Sequence, residues 1–127
     1  MAQSNNPSPR AMIRNLAEVM WENPPAHTPG ALSKMLVRPE NLGSQHVDYR
    51  ISCYQPMSLV EPHAHKVQEQ IYHVLEGEGL MELDDEKTVV RSGDVIFIPP
   101  GVRHAIYNTG LTDLLFLVVT TPPDDGP

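Results

Sequence analysis

The residues with the spacing to do chemistry stand in the stretch EPHAHKVQEQIYHVLEGEG, residues 61–79. His63 and His65 are one residue apart, and Glu69 and Gln70 follow side by side. Alternate residues of a strand share a face, so both imidazoles can reach one metal ion from the same side. Taken alone, the pair reads equally as two half-exposed polar residues near a strand end. A third imidazole, His104, follows Pro99-Pro100-Gly101. That triplet stops a strand in a tight turn, and His104 opens the next strand toward the same cavity mouth.

These side chains need a rigid frame, and the chain reads as many short strands. Thirteen prolines and eight glycines in 127 residues argue for frequent turns and against helices. ALSKMLV reads as a strand ending at Arg38-Pro39, and HVDYRISCYQP alternates, with Val47, Tyr49, Ile51 and Cys53 on one face and Asp48, Arg50, Ser52 and Tyr54 on the other. That polar face is expected either in water or lining a cavity inside a barrel. QIYHVLEG is a strand ending in glycine, GLMELDDEKTVV is a hairpin turning near Asp84-Asp85-Glu86, and DVIFIPPG and RHAIYNTG are two short strands. Leu114 to Val119, the most apolar run, reads as a buried strand, while MIRNLAEV fits a strand or one helical turn equally. Turn signals recur every 8–12 residues or so, as in antiparallel sandwiches and barrels. The expected layout is a disordered tail over 1–10, an arm and first strands over 11–44, a barrel core over 45–121 and a frayed tail over 122–127.

Composition narrows the function. A formal charge of −7 without a basic cluster argues against nucleic acid. No apolar run approaches the ~20 residues of a membrane helix, and MAQSNNPSPR has no apolar core and is not a secretory signal. The lone Cys53 forms no internal disulfide and is expected as a small buried residue. The cytoplasm is the default address.

Two segments together resemble the cupin superfamily over about residues 45–120. Its first motif runs Gly, five residues, His-x-His, three or four residues, Glu, six residues, Gly. His63, His65, Gln70 and Gly77 fit that spacing, with Gln70 at the glutamate position and Met57 at the leading glycine. The second motif runs Gly, five residues, Pro-x-Gly, two residues, His, three residues, Asn. GDVIFIPPGVRHAIYN meets it at Gly93, Pro99, Gly101, His104 and Asn108. The resemblance implies an all-β, single-domain double-stranded β-helix, or jelly-roll barrel. It implies one divalent metal ion (Mn, Fe, Zn, Ni or Co) on His63, His65, Gln70 and His104, and a homodimer. Asn108 is expected to bond backbone in a turn.

Glu69 is the alternative fourth ligand, or an acceptor that orients a histidine from outside. Parity counted from His65 favours Glu69; the count back from Gly77 favours Gln70, provided a turn within KVQE breaks the parity. The choice matters: a glutamine leaves the ion its full charge and removes the carboxylate from the ligand set. Among cupins, that set is similar to the enzymes that open unsaturated uronic-acid sugars and to bacterial manganese cupins with hydroxynitrile lyase activity. Arg50 is a candidate catalytic and substrate-binding residue that clamps a carboxylate, or else a surface arginine paired with an acid. Tyr54 and Tyr72 are candidates to present a hydroxyl to the substrate or simply to pack. His27, His46 and His73 are not expected as ligands. Met20 and Trp21 are expected to pack across a partner subunit. The leading expectation is a metal-dependent lyase or isomerase acting on a small anionic carbonyl or hydroxy acid. A cupin-type dioxygenase comes second, and a non-catalytic sugar- or effector-binding module third.

Overall fold

The computed structural model describes residues 5–126. Eight strands form two antiparallel sheets. Strands β1 (Ala31–Val37), β2 (Asp48–Tyr54), β3 (Glu69–Glu76), β6 (Val95–Ile98) and β8 (Leu114–Thr121) make the larger sheet, in the order β1-β2-β8-β3-β6. Strands β4 (Glu78–Leu83), β5 (Glu86–Arg91) and β7 (His104–Tyr107) make the smaller one, in the order β5-β4-β7. The helical content is slight. MIRNLAEV resolves into a 3-10 turn at Leu16–Glu18, capped by the Asn15 side chain on the Ala17 N–H at 2.9 Å. One further helical turn covers Pro39–Leu42. Among the described residues no helix is long and apolar enough to cross a membrane.

The sheets close on a core of Phe116, Met81, Ile98, Ile106 and Leu114, all at 1% exposure or less. Truncating a fully enclosed side chain such as Phe116 to alanine costs roughly 3–5 kcal/mol. Strand β8 is central in the larger sheet, and its burial alternates along its length. The apolar run expected to be buried throughout therefore buries Leu114, Phe116 and Val118, while Leu115, Leu117 and Val119 sit half-exposed on the outer face. Cys53 shares that outer face and is half-buried rather than enclosed.

Turn chemistry fixes the strand ends. Gly77 adopts φ +88° between β3 and β4, and a Cβ there would lie 2.4 Å from the Asp113 carbonyl oxygen, so only glycine fits. Met57 occupies the same left-handed region at φ 73° and is 88% exposed. The position is one that glycine suits, and methionine holds it against backbone strain. Asn108 bonds as expected of a turn residue: its amide donates to the carbonyls of Tyr54 at 2.7 Å and Thr112 at 2.9 Å.

The segment before β3 has no regular ladder, yet it extends the smaller sheet. Leu59 bridges Tyr107 and His63 bridges His104. Residues 122–126, expected as a frayed tail, instead fold back over the loop that follows His65, as described below.

Candidate metal centre

The cluster begins with a backbone pair. His63 N–H donates to the His104 carbonyl at 3.0 Å, and His104 N–H returns to the His63 carbonyl at 2.8 Å. Directly opposed antiparallel residues project to the same side, and the two rings lie 4.3 Å apart, centroid to centroid. His65 joins from one step along the segment, 5.0 Å from the His63 ring and 5.3 Å from that of His104. A donor nitrogen from each ring lies within 4.8 Å of the others.

The tautomers are set locally. His63 Nδ1–H donates to the Glu61 carbonyl at 2.7 Å, and His104 Nδ1–H donates to that of Val102 at 2.9 Å. Each bond leaves Nε2 with a free lone pair. Burial holds the pKa of His104 down at about 4, and burial followed by the neighbouring His63 lowers that of His65. Both rings are therefore neutral at pH 7, the state a metal ligand requires.

Gln70 faces the same cavity from the other sheet. It is buried on β3, and its Nε2 donates to Thr120 Oγ1 at 3.0 Å. That bond commits the nitrogen and leaves Oε1 as the free end of the amide. His65 Nε2, His104 Nε2 and Gln70 Oε1 are all buried and lack a hydrogen-bond partner. Of these, His104 Nε2 and Gln70 Oε1 are acceptors, each costing about 1–3 kcal/mol when left orphaned, and a cation between them and His65 would satisfy both. The residues present fit a divalent metal held by three imidazoles and an amide oxygen. Glu69 is exposed on the opposite face of β3. A bend at residues 66–67 breaks the parity that starts at His65, and this is what turns Gln70 rather than Glu69 inward.

A cavity of about 310 Å³ opens beside the cluster. The polar face of β2 lines it, in place of the solvent-facing alternative. Asp48, Thr120 and Gln70 form one cross-strand row; Arg50, Val118 and Tyr72 form the next. Arg50 is held by Asp48 through two bonds, Nε to Oδ1 at 2.9 Å and Nη2 to Oδ2 at 2.8 Å. That fork uses two of the five guanidinium N–H groups and leaves the rest for a ligand. So Arg50 both faces the cavity and is paired with an acid, joining the two alternatives that its sequence context left open. Tyr72 lies in the same cavity, its ring 6.1 Å from that of His104, and burial pushes its hydroxyl pKa up. Tyr54 packs edge-on against Phe116 at 5.0 Å, and burial raises its pKa too.

His73 and His46 are exposed and outside the cavity. His27 lies outside the histidine cluster but, with Pro24, Pro25 and Ala26, lines the cavity. Its Nδ1–H donates to the Pro25 carbonyl at 2.7 Å, and burial lowers its pKa. Three flanking prolines made this segment read as plain loop, and no periodicity marks its return over the barrel. Asp48 could have been found, because i and i+2 on a strand share a face and an acid there meets Arg50.

With this geometry, the chain belongs to the cupin family: the cupin domain model matches residues 50–120. Among relatives, an uncharacterised protein of Methanocaldococcus jannaschii is 49% identical over 61 residues, covering 48% of this chain and 49% of that one. An oxalate-binding protein of Thermotoga maritima is 42% identical over 64 residues, covering 50% of this chain and 53% of that one. This chain thus matches about half the length of these curated relatives. The crystal structure of a predicted oxalate decarboxylase from Thermotoga maritima superposes with a TM-score of 0.78 at 29% identity, covering 87% of this chain and 98% of the other.

Proposed function

We propose that the chain is a metal-dependent enzyme of the lyase or isomerase type, acting on a small anionic carbonyl or hydroxy acid. The observation that carries this reading is the convergence of three buried polar atoms without a hydrogen-bond partner, His65 Nε2, His104 Nε2 and Gln70 Oε1, beside a cavity that also holds Arg50. His63, His65, His104 and Gln70 would hold the ion, with Mn, Fe, Zn, Ni and Co all compatible with these donors. A divalent ion there supplies Lewis-acid stabilisation of negative charge developing on a substrate oxygen. Arg50 binds the substrate carboxylate through the N–H groups that Asp48 leaves free, and Asp48 keeps the guanidinium oriented. Tyr72, its hydroxyl held protonated by burial, donates a hydrogen bond. The ligand set has no carboxylate, so a proton acceptor must come from elsewhere in the cavity. His27 serves: its Nδ1–H is committed to Pro25, and Nε2 carries the basic lone pair.

The test uses protein loaded in turn with each metal and incubated in D₂O with oxalate, 2-keto acids, 2-hydroxy acids and unsaturated uronates, followed by NMR. Metal-dependent conversion, or deuterium incorporation next to a carbonyl, that is lost in Arg50→Ala is the expected result. Failure of the wild type to take up any metal would overturn the reading.

A second reading has one specific support, the name of the oxalate-binding relative. Saturable, metal-dependent binding of a small dicarboxylate without turnover of any substrate would favour a binding module.

A further inference from the structure

The metal reading leaves one ligand without a visible support. His63 and His104 each anchor Nδ1 on the carbonyl two residues back. For His65 that carbonyl belongs to His63; it accepts the His104 N–H at 2.8 Å, and among the described residues no hydrogen bond runs from it to the His65 ring.

What faces His65 Nδ1 instead is the C-terminal tail. Asp125 Oδ2 lies 3.8 Å from that nitrogen. The same carboxylate accepts three consecutive backbone N–H groups, from Lys66 at 2.9 Å, Val67 at 2.9 Å and Gln68 at 3.1 Å. Gln68 adds a fourth tie, its Nε2 donating to the Pro122 carbonyl at 3.1 Å. Residues 66–68 are the bend between His65 and β3, the bend that decides which of Glu69 and Gln70 turns inward. One carboxylate, remote in sequence, thus lies beside Nδ1 of His65 and binds the turn that sets the register of Gln70.

We propose that Asp125 is a positioning residue for the metal centre. Its carboxylate accepts the Nδ1 proton of His65, which fixes the tautomer that leaves Nε2 bare, and it pins the bend that aims Gln70 at the same point. A shortening of roughly 0.8 Å converts the present separation into a hydrogen bond. Carboxylates that orient metal-bound histidines in this way typically contribute about 10–100-fold in metal affinity. The inference rests on the metal reading for its consequence, but its core, the contact of Asp125 with His65, exists in the metal-free protein.

The experiment compares wild type, Asp125→Asn and Asp125→Glu. Asparagine keeps the volume and one acceptor oxygen for the bend but withdraws the charge, and glutamate restores the charge. Two readouts are taken: Zn²⁺ and Mn²⁺ affinity by chelator competition, and the His65 tautomer in the metal-free protein by long-range ¹H–¹⁵N correlation spectra. Asp125→Asn is expected to lose about 10–100-fold in affinity and to mix the His65 tautomers, with at least part of both effects reversed in Asp125→Glu. Wild-type affinity together with a wild-type tautomer in Asp125→Asn would overturn the proposal. So would a lowered thermal midpoint with both readouts unchanged, which would make the tail a clamp on folding alone. If the wild type binds no metal, the metal reading fails, and the tautomer measurement still decides whether Asp125 directs His65.

Discussion

The two faces of the larger sheet depart from the usual pattern at one end, where polar residues join the apolar core on the inner face. On the inner face, the cross-strand rows run Asp48–Thr120–Gln70 and Arg50–Val118–Tyr72. One residue along, the outer face runs Tyr49–Val119–Ile71 and Ile51–Leu117–His73. Antiparallel sheets with one solvated face commonly put apolar residues inside and polar ones outside. Here polar groups face in, while Ile71, Val95 and Phe97 lie outward at 41%, 61% and 56% exposure. The inner polar groups satisfy one another in pairs, Ser33 with Ser52 at 2.8 Å and Asp48 with Arg50, up to the metal cluster, where acceptors are left over. The contrast fits the proposed function: the inner face supplies a polar site as well as part of the core.

The widest gap between the faces should appear in metal binding. Gln70→Leu is expected to weaken metal affinity by about 100-fold or more, beyond what changes outside the ligand set typically cost. The mirror change one residue on, Ile71→Gln, should leave affinity unaltered; chelator competition on both variants reads the difference. Equal losses at the two positions would break the contrast.

Next in size is the buried fork. Arg50→Ala leaves the Asp48 carboxylate, whose side chain is 10% exposed, without its partner. Breaking a fully buried pair costs about 3–5 kcal/mol, and the 26% exposure of Arg50 lowers the expectation to roughly 2–3 kcal/mol. Urea denaturation checks this, and adding Asp48→Asn should recover most of the loss.

Acid acts on the same face. His104 has a folded pKa near 4 against an ordinary value of 6.5. Between those values the unfolded chain binds the proton and the folded one does not, so stability rises with pH across that window. Metal-free protein should hold its full stability above about pH 6.5, lose part of it on acidification toward pH 4, and lose no more from this group below that. Melting curves in chelator across pH 3.5–8 or so test the sign, and His104→Gln should flatten the slope.

Smaller effects belong to positions outside the cavity. Met57→Gly relieves a left-handed backbone but frees the unfolded chain, for a net gain of about 0.5–1 kcal/mol in urea denaturation. Phe97→Ser on the outer face should stay within about 0.5 kcal/mol of wild type, with metal affinity unchanged.

How much of this was legible in the sequence depended on whether the controlling contacts were local. The strands followed from alternation and turn residues, and the histidine cluster from the resemblance to the two cupin motifs. That resemblance also favoured Gln70 over Glu69, through the motif spacing to Gly77, and Gln70 is the one that faces the cavity. The role of the tail was invisible, because Asp125 acts on residues 57 to 59 positions away and its own neighbourhood reads as coil. His27 was hidden for a similar reason, bridged to Val60 across a proline-rich loop. The face that β2 turns to the cavity was left open, since alternation gives two faces without saying which is inside.

Prolines at the opening have a consequence of their own. Pro25 and Ala26 are exposed while lining the cavity, which puts them where it meets solvent, and Pro24 and Pro123 line it beside them. A proline has no N–H to offer. For the anionic substrate proposed above, the prolines of this rim would offer no N–H, and the donors would come from other lining residues, Arg50 among them. The doorway would then be nearly mute toward anions, and discrimination would fall to the rest of the cavity.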